Sequence, residues 1–167
     1  MARVQPRLLP SARSVHLCAA FAASVAMAAS AAAQQKRVYI ANDDHTDYVW
    51  NCSEATNRQA FLDMIDYYLD LKDATAGNPP DYQSRFNCDS ALMLRVYQEQ
   101  RTPAQFNRLL DAIRSGHISA PMTTLVSCYG GTPAEGVLRG MYYAGTLERA
   151  HEIRFRLAMS MENQTMP

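Results

Sequence analysis

RVYIANDDHTDYVW, residues 37–50, joins a short apolar run to a knot of polar groups and closes on aromatics. Val38-Tyr39-Ile40-Ala41 is β-branched and aromatic, the composition of a short buried strand. It breaks at once into Asn42, Asp43, Asp44, His45, Thr46 and Asp47, then Tyr48 and Trp50. Parallel α/β sheets carry their ligand groups where strands end and loops begin. The stretch is therefore expected to be the first strand of such a sheet and the polar lip that follows it.

Upstream, the chain has a different character. Arg3, Arg7 and Arg13 precede an alanine-rich apolar stretch, Val15 to Ala33, and no acidic residue occurs before Asp43. A basic start, an apolar middle and the small-residue run Ala31-Ala32-Ala33 before Gln34 predict a cleaved secretory signal over residues 1–33. An uncleaved membrane anchor calls for about 20 residues rich in Leu, Ile and Val, so no membrane association is expected after cleavage. The expected location is periplasmic or extracellular. Removing three arginines leaves 13 basic against 16 acidic residues, a net charge of −3. The basic residues are scattered among acids, which excludes the basic stripe of a nucleic-acid module. Cys18 falls in the signal. The remaining Cys52, Cys88 and Cys128 match no close-paired zinc-ribbon spacing and allow at most one internal disulfide. Small buried residues are the expected role.

Downstream, helix and strand patterns alternate. Ser53 is placed to cap a helix whose apolar residues Phe61, Met64, Ile65, Tyr68, Leu69 and Leu71 recur at three- and four-residue intervals to about Asp73. Gly77-Asn78-Pro79-Pro80 stops it. Tyr82 to Cys88 alternates as a second strand, and Asp89 or Ser90 can cap the helix carrying Leu92, Met93, Val96 and Tyr97. Thr102-Pro103 starts a further helix cleanly, and Gly116 ends it. His117 to Val126 reads as a third strand interrupted by Pro121. Thr132-Pro133 opens a helix with Val137, Leu138, Met141 and Tyr142 on its buried side. Arg154 to Met159 reads as a fourth strand. The order is that of a parallel sheet with crossover helices. It predicts three polar clusters at strand ends: Asp43 to Asp47, Asn87 to Asp89, and Glu162-Asn163-Gln164.

His45 and Asp47 stand at i and i+2, so in an extended segment both side chains face the same side. Imidazole nitrogen and carboxylate oxygen are a zinc ligand pair, and a catalytic site adds further ligands and keeps one position open. The bland alternative is an Asx-rich turn whose side chains satisfy backbone donors. His117 starts a strand and is expected to be structural; His151, near a helix end, is expected at the surface.

The stretch 38–50 resembles the opening of the catalytic domain of glycoside hydrolase family 38, the retaining α-mannosidases, whose first strand ends in a His-x-Asp-x-x-Trp type motif. Here that motif is His45-Thr46-Asp47-Tyr48-Val49-Trp50. RFNCDSALML, LLDAIRSGHISAP, LRGMYYAGTLER and LAMSMENQTMP are similar to the family's following strands and helices, so the resemblance spans residues 37–167. It implies the amino-terminal part of a (β/α) barrel, with His45 and Asp47 as half of a zinc site that holds two mannose hydroxyls. Trp50 matches an aromatic near the sugar, and Tyr48 beside it is expected to bind substrate as well. The family's nucleophile, an Asp after the third strand, is unmatched: the corresponding stretch is Ser127-Cys128-Tyr129-Gly130-Gly131, and the nearest acid is Glu135. The fourth-strand Asp is replaced by Met161-Glu162-Asn163. Retaining hydrolysis needs two carboxyl groups about 5 to 5.5 Å apart; of Asp44, Asp89, Glu135 and Glu162, Glu162 is the expected general acid/base or sugar-binding residue.

A whole barrel needs roughly 200 to 250 residues, and 134 of the 167 residues follow position 33. The expectation is an exported glycosidase fragment, incomplete alone. Two other readings stay open. One is a non-catalytic exported module that binds a carbohydrate or a partner through Tyr48, Trp50 and other aromatics. The other is a metal-dependent polysaccharide deacetylase, suggested by Asp43-Asp44-His45, although the His-x-x-x-His pair which that chemistry wants does not occur.

Overall fold

The computed structural model describes residues 40, 42–43, 47–125 and 129–158, all within the unit Ile40–Pro167. The expected signal 1–33, first-strand residues Val38, Tyr39 and Ala41, the polar residues Asp44, His45 and Thr46, and Val126, Ser127, Cys128 and Glu162 lie outside the described residues.

Helix α1 (Glu54–Thr75) begins where Ser53 accepts a hydrogen bond from the Thr56 N–H at 3.2 Å. Glu54 in its first turn and Lys72 in its last complement the helix dipole. Asn57, Phe61, Leu62, Ile65 and Leu69 make its buried stripe. The helix stops before Gly77, and Pro80–Tyr82 form one 3₁₀ turn. Helix α2 (Ala91–Gln100) has Ser90 at its N-cap position, yet Ser90 makes no capping bond. The Ala91 and Leu92 amides donate instead to the carbonyls of Thr123 and Thr124, at 2.9 and 3.0 Å, so the loop after the third strand satisfies the helix start. Helix α3 (Pro103–Arg114) carries the full capping box: Thr102 Oγ1 accepts from the Gln105 N–H at 3.3 Å, and Gln105 Oε1 accepts from the Thr102 N–H at 3.0 Å. Gly116 follows with φ +72°, the left-handed conformation that ends helices.

Strands β1 (Phe86–Asn87) and β2 (Ile118–Ser119) run parallel, with Phe86 opposite Ile118 and Asn87 opposite Ser119. The Phe86 amide donates to the His117 carbonyl and the Cys88 amide to the Ser119 carbonyl, whereas the intervening Asn87 amide donates the other way, to the Asn42 carbonyl at 3.0 Å. That alternation is how one parallel strand serves two neighbours. Asp43 bridges Asn87 and Pro121 bridges Leu157, both parallel. Four chain segments thus lie side by side in the order first, second, third, fourth. Helix α1 packs on α2 and α3, α3 packs on β2, and α2 packs on α5 (Tyr142–His151). The core between them includes Phe61, Ile65, Leu69, Leu94, Leu109 and Ile118, each at most 2% exposed.

The fold is mixed α/β, mostly helical, around this narrow parallel sheet. Several expectations are corrected in extent. The first helix runs to Thr75 rather than Asp73. The second strand shrinks to two residues because Tyr82 turns into the 3₁₀ segment. The third is two residues and one bridge, since Pro121 lacks an amide for the ladder. In the fourth, the described residues pair through Leu157, with Ile153 and Phe155 buried in strand-like alternation. The last helix is split: α4 (Ala134–Arg139) ends at Gly140 and α5 starts at Tyr142. Ala144 and Leu147 are its buried residues, while Leu138 and Tyr142 are 55% and 58% exposed. Thr132 is not the N-cap of α4; Pro133 holds that position and makes no side-chain capping bond. No helix among the described residues is long and apolar enough to cross a membrane.

Candidate functional site at the strand ends

The end of the first segment meets the end of β1 through one asparagine. Asn87 Nδ2 donates to the Asn42 carbonyl at 3.0 Å, and its Oδ1 accepts from the Ser119 hydroxyl. Three successive strand ends are thereby joined by side-chain and backbone polar groups. Asp89, the next acid along, is buried at 3% exposure. Two of the three predicted clusters, at Asp43 and at Asn87, do come together.

Beyond them the chain makes a tight turn. The Trp50 amide donates to the Asp47 carbonyl at 3.1 Å, and the Val49 amide donates to Asn57 Oδ1 at 2.8 Å. Val49 has φ +63°. A β-branched side chain is disfavoured there, a strain of about 1–3 kcal/mol that the surroundings must offset. Tyr48 lies with its ring 6.0 Å from that of Phe61, stacked, and its hydroxyl donates to Glu54 Oε1 at 3.1 Å. Burial first, and then the Glu54 carboxylate, holds the Tyr48 phenol above its usual range. Tyr48 is thus engaged with α1, whereas Trp50 is 84% exposed. Asp47 is exposed at the head of the turn.

His45, Asp47's expected zinc partner, and Glu162, the expected acid/base, lie outside the described residues. Among the described residues no three His, Cys, Asp or Glu side chains stand together as a metal-holding group. Asp47 alone supplies one oxygen donor where zinc takes four ligands. The described residues do not by themselves fit a zinc ion.

The other singled-out residues serve the fold. His117 Nε2 sits 3.0 Å from Gln83 Oε1 and Nδ1 sits 2.9 Å from Ser115 Oγ. Burial, then Arg85 and Lys72, lowers its pKa. His151 packs edge-on against Phe106 at the end of α5. Glu135 pairs with Arg139 at 2.7 Å, one turn along α4. Cys52 is half-buried and Cys88 buried, both as thiols. Sequence reasoning missed Asn57. Its signal was present: a polar residue in register with the apolar positions 61, 65 and 69 of α1. Beside Asn42 opens a cleft of about 420 Å³ bordered by Tyr67, Tyr68, Tyr82, Asp81 and Arg85.

Among solved structures, the chain is similar to a glycosyl hydrolase family 38 protein from Enterococcus faecalis. The TM-score is 0.58 and the sequence identity 19%, over 76% of this chain and 14% of that one. The likeness is one of fold. The chain spans about one seventh of that protein's length. No family model matches the sequence, and no curated protein matches it.

Proposed function

We propose that residues 37–167 form the amino-terminal part of a (β/α) barrel of a family 38-like, retaining glycosidase acting on mannosides, exported to the periplasm or beyond by the signal 1–33. The observation that carries this reading is the parallel alignment of the first three strand ends, which gathers Asp43, Asn87 and Ser119 on one edge of the sheet. The fold likeness supports it. In this reading His45 and Asp47 are half of a zinc site whose other ligands come from elsewhere. Trp50 stacks on the sugar, with Tyr48 setting its approach. Glu162 is the proposed acid/base, and the nucleophile is left unassigned.

The test is metal and sugar binding by the purified chain. Zinc binding should be measurable and should fall together in His45→Ala and Asp47→Ala. Methyl α-D-mannopyranoside should perturb Trp50 emission. Hydrolysis of an aryl α-mannoside should be negligible, because half of a zinc site does not complete an open catalytic centre. Equal zinc content in the wild type and both variants would sink the metal assignment.

A second reading is a non-catalytic carbohydrate-binding module. It is favoured by Tyr67 and Tyr82, 60% and 74% exposed, which border the cleft beside Asn42. If mannoside binding is lost in Tyr67→Ala and Tyr82→Ala but kept in Trp50→Ala and His45→Ala, this second reading replaces the first.

A further inference from the structure

We propose that Asn57 is a positioning residue: its side-chain carbonyl locks Val49 in the left-handed turn and so presents the Trp50 indole to solvent as a preformed platform. The turn is clamped to α1 at three places on one helical face. Glu54 accepts from the Tyr48 hydroxyl, Asn57 accepts from the Val49 amide, and Phe61 stacks under the Tyr48 ring. Positions 54, 57 and 61 are i, i+3 and i+7, the spacing that puts side chains on one face of a helix.

Of the three contacts, only the Asn57 bond acts on the strained residue itself. Val49 is 48% exposed, so packing of its side chain gives little compensation for φ +63°. Asn57 is 8% exposed within an otherwise apolar stripe. A buried amide is unfavourable unless hydrogen-bonded, and here its oxygen is spent on the turn. The next residue, Trp50, has its backbone amide tied to Asp47 and is itself 84% exposed. A fixed backbone removes the main-chain share of the freedom that would otherwise be lost when a ligand stacks on the ring. The sugar part of this inference rests on the reading of Trp50 given above; the clamp itself does not.

Trp50 is the sole tryptophan of the chain, so indole emission reports on this turn alone. The full chain is compared as wild type, Asn57→Ala, Asn57→Leu and Asn57→Asp, with far-UV circular dichroism to confirm folding. In time-resolved anisotropy, the fast nanosecond component should grow in Asn57→Ala and Asn57→Leu. It should stay at the wild-type level in Asn57→Asp, whose oxygen accepts the same amide. Leu continues the apolar stripe and keeps the test alive should the Ala variant fail to fold. Loss of one such hydrogen bond should also weaken mannoside quenching by about five-fold, again with Asp retaining it. Decays in Asn57→Ala and Asn57→Leu that match the wild type overturn the proposal, as does an Asp variant as mobile as the Ala one. A wild type whose emission ignores the mannoside removes the sugar contact of the proposed function, while the anisotropy series still decides the role of Asn57.

Discussion

The ring of Tyr68 lies flat on that of Phe86, with centroids 3.9 Å apart and planes inclined by 9°. The stack fastens α1 to β1. The Tyr68 hydroxyl also accepts from Asn42 Nδ2 at 3.3 Å, so one side chain holds the helix, the central strand and the first segment. Tyr68→Ala should cost about 3 kcal/mol. Tyr68→Phe keeps the stack and should cost less than about 1 kcal/mol. Urea denaturation separates the two through the midpoint at unchanged slope.

Asp66 on α1 receives the Tyr97 hydroxyl at 2.6 Å and the Arg101 guanidinium at 2.7 and 3.1 Å. Asp66→Ala leaves a buried phenol and a half-buried guanidinium without their acceptor, and should cost about 2–3 kcal/mol. A variant as stable as the wild type in thermal unfolding would mean that the ion pair has no net effect.

The same phenol sets an alkaline limit. Burial, and then the neighbouring Asp66, raises the Tyr97 pKa. Its folded pKa exceeds its unfolded value of about 10, so above that pH the unfolded chain sheds a proton which the native chain keeps. The contribution is present in full below about pH 10 and is lost as pH rises beyond it. Tyr97→Phe should flatten that part of the stability-against-pH curve. An unchanged alkaline slope would exclude this tyrosine as its source.

Thr102 and Gln105 share two reciprocal bonds at the start of α3. Thr102→Ala should cost about 1 kcal/mol and Thr102→Ser much less. Differential scanning calorimetry of the two variants reads the difference directly.

Cys88 is fully buried and Cys52 only partly so. Under native conditions a maleimide should label Cys52 well before Cys88, with Cys88 reacting when the chain opens. Peptide mapping after a timed pulse assigns each thiol. Early modification of Cys88 would contradict the packing of β1.

The helices were the legible part of the sequence. Ser53, Thr102-Pro103, Gly116 and the proline pair at 79–80 are local signals, and each acts within a few residues of itself. Strand lengths were not legible, because pairing depends on a neighbour far along the chain: Tyr82 alternates with Phe86 as a strand should, yet its partner would have to lie beside the 3₁₀ turn. The Ser90 cap failed for a related reason, since carbonyls from Thr123 and Thr124 reach the α2 amides first. At the site, the polar lip after the first strand was visible as composition. Tyr48 and Trp50 looked alike in the sequence and part company in the structure: the ring of one rests on Phe61, and the other stands in solvent. What separates them is the sign of φ at Val49, and that is fixed by a helix residue eight positions away.

The parallel order of the strand ends also governs when they meet. Asn87 reaches Asn42 across 45 positions and Ser119 across 32, and each junction closes only after an intervening helix is in place. Local turns and helices form fast, whereas distant parallel pairings are delayed by loop-closure entropy. The junction that joins Asn42 and Ser119 through Asn87 is accordingly among the last features assembled. A ligand gripping it recognises the finished fold, so it should slow unfolding and raise the melting temperature with its concentration, while leaving the refolding rate where it was.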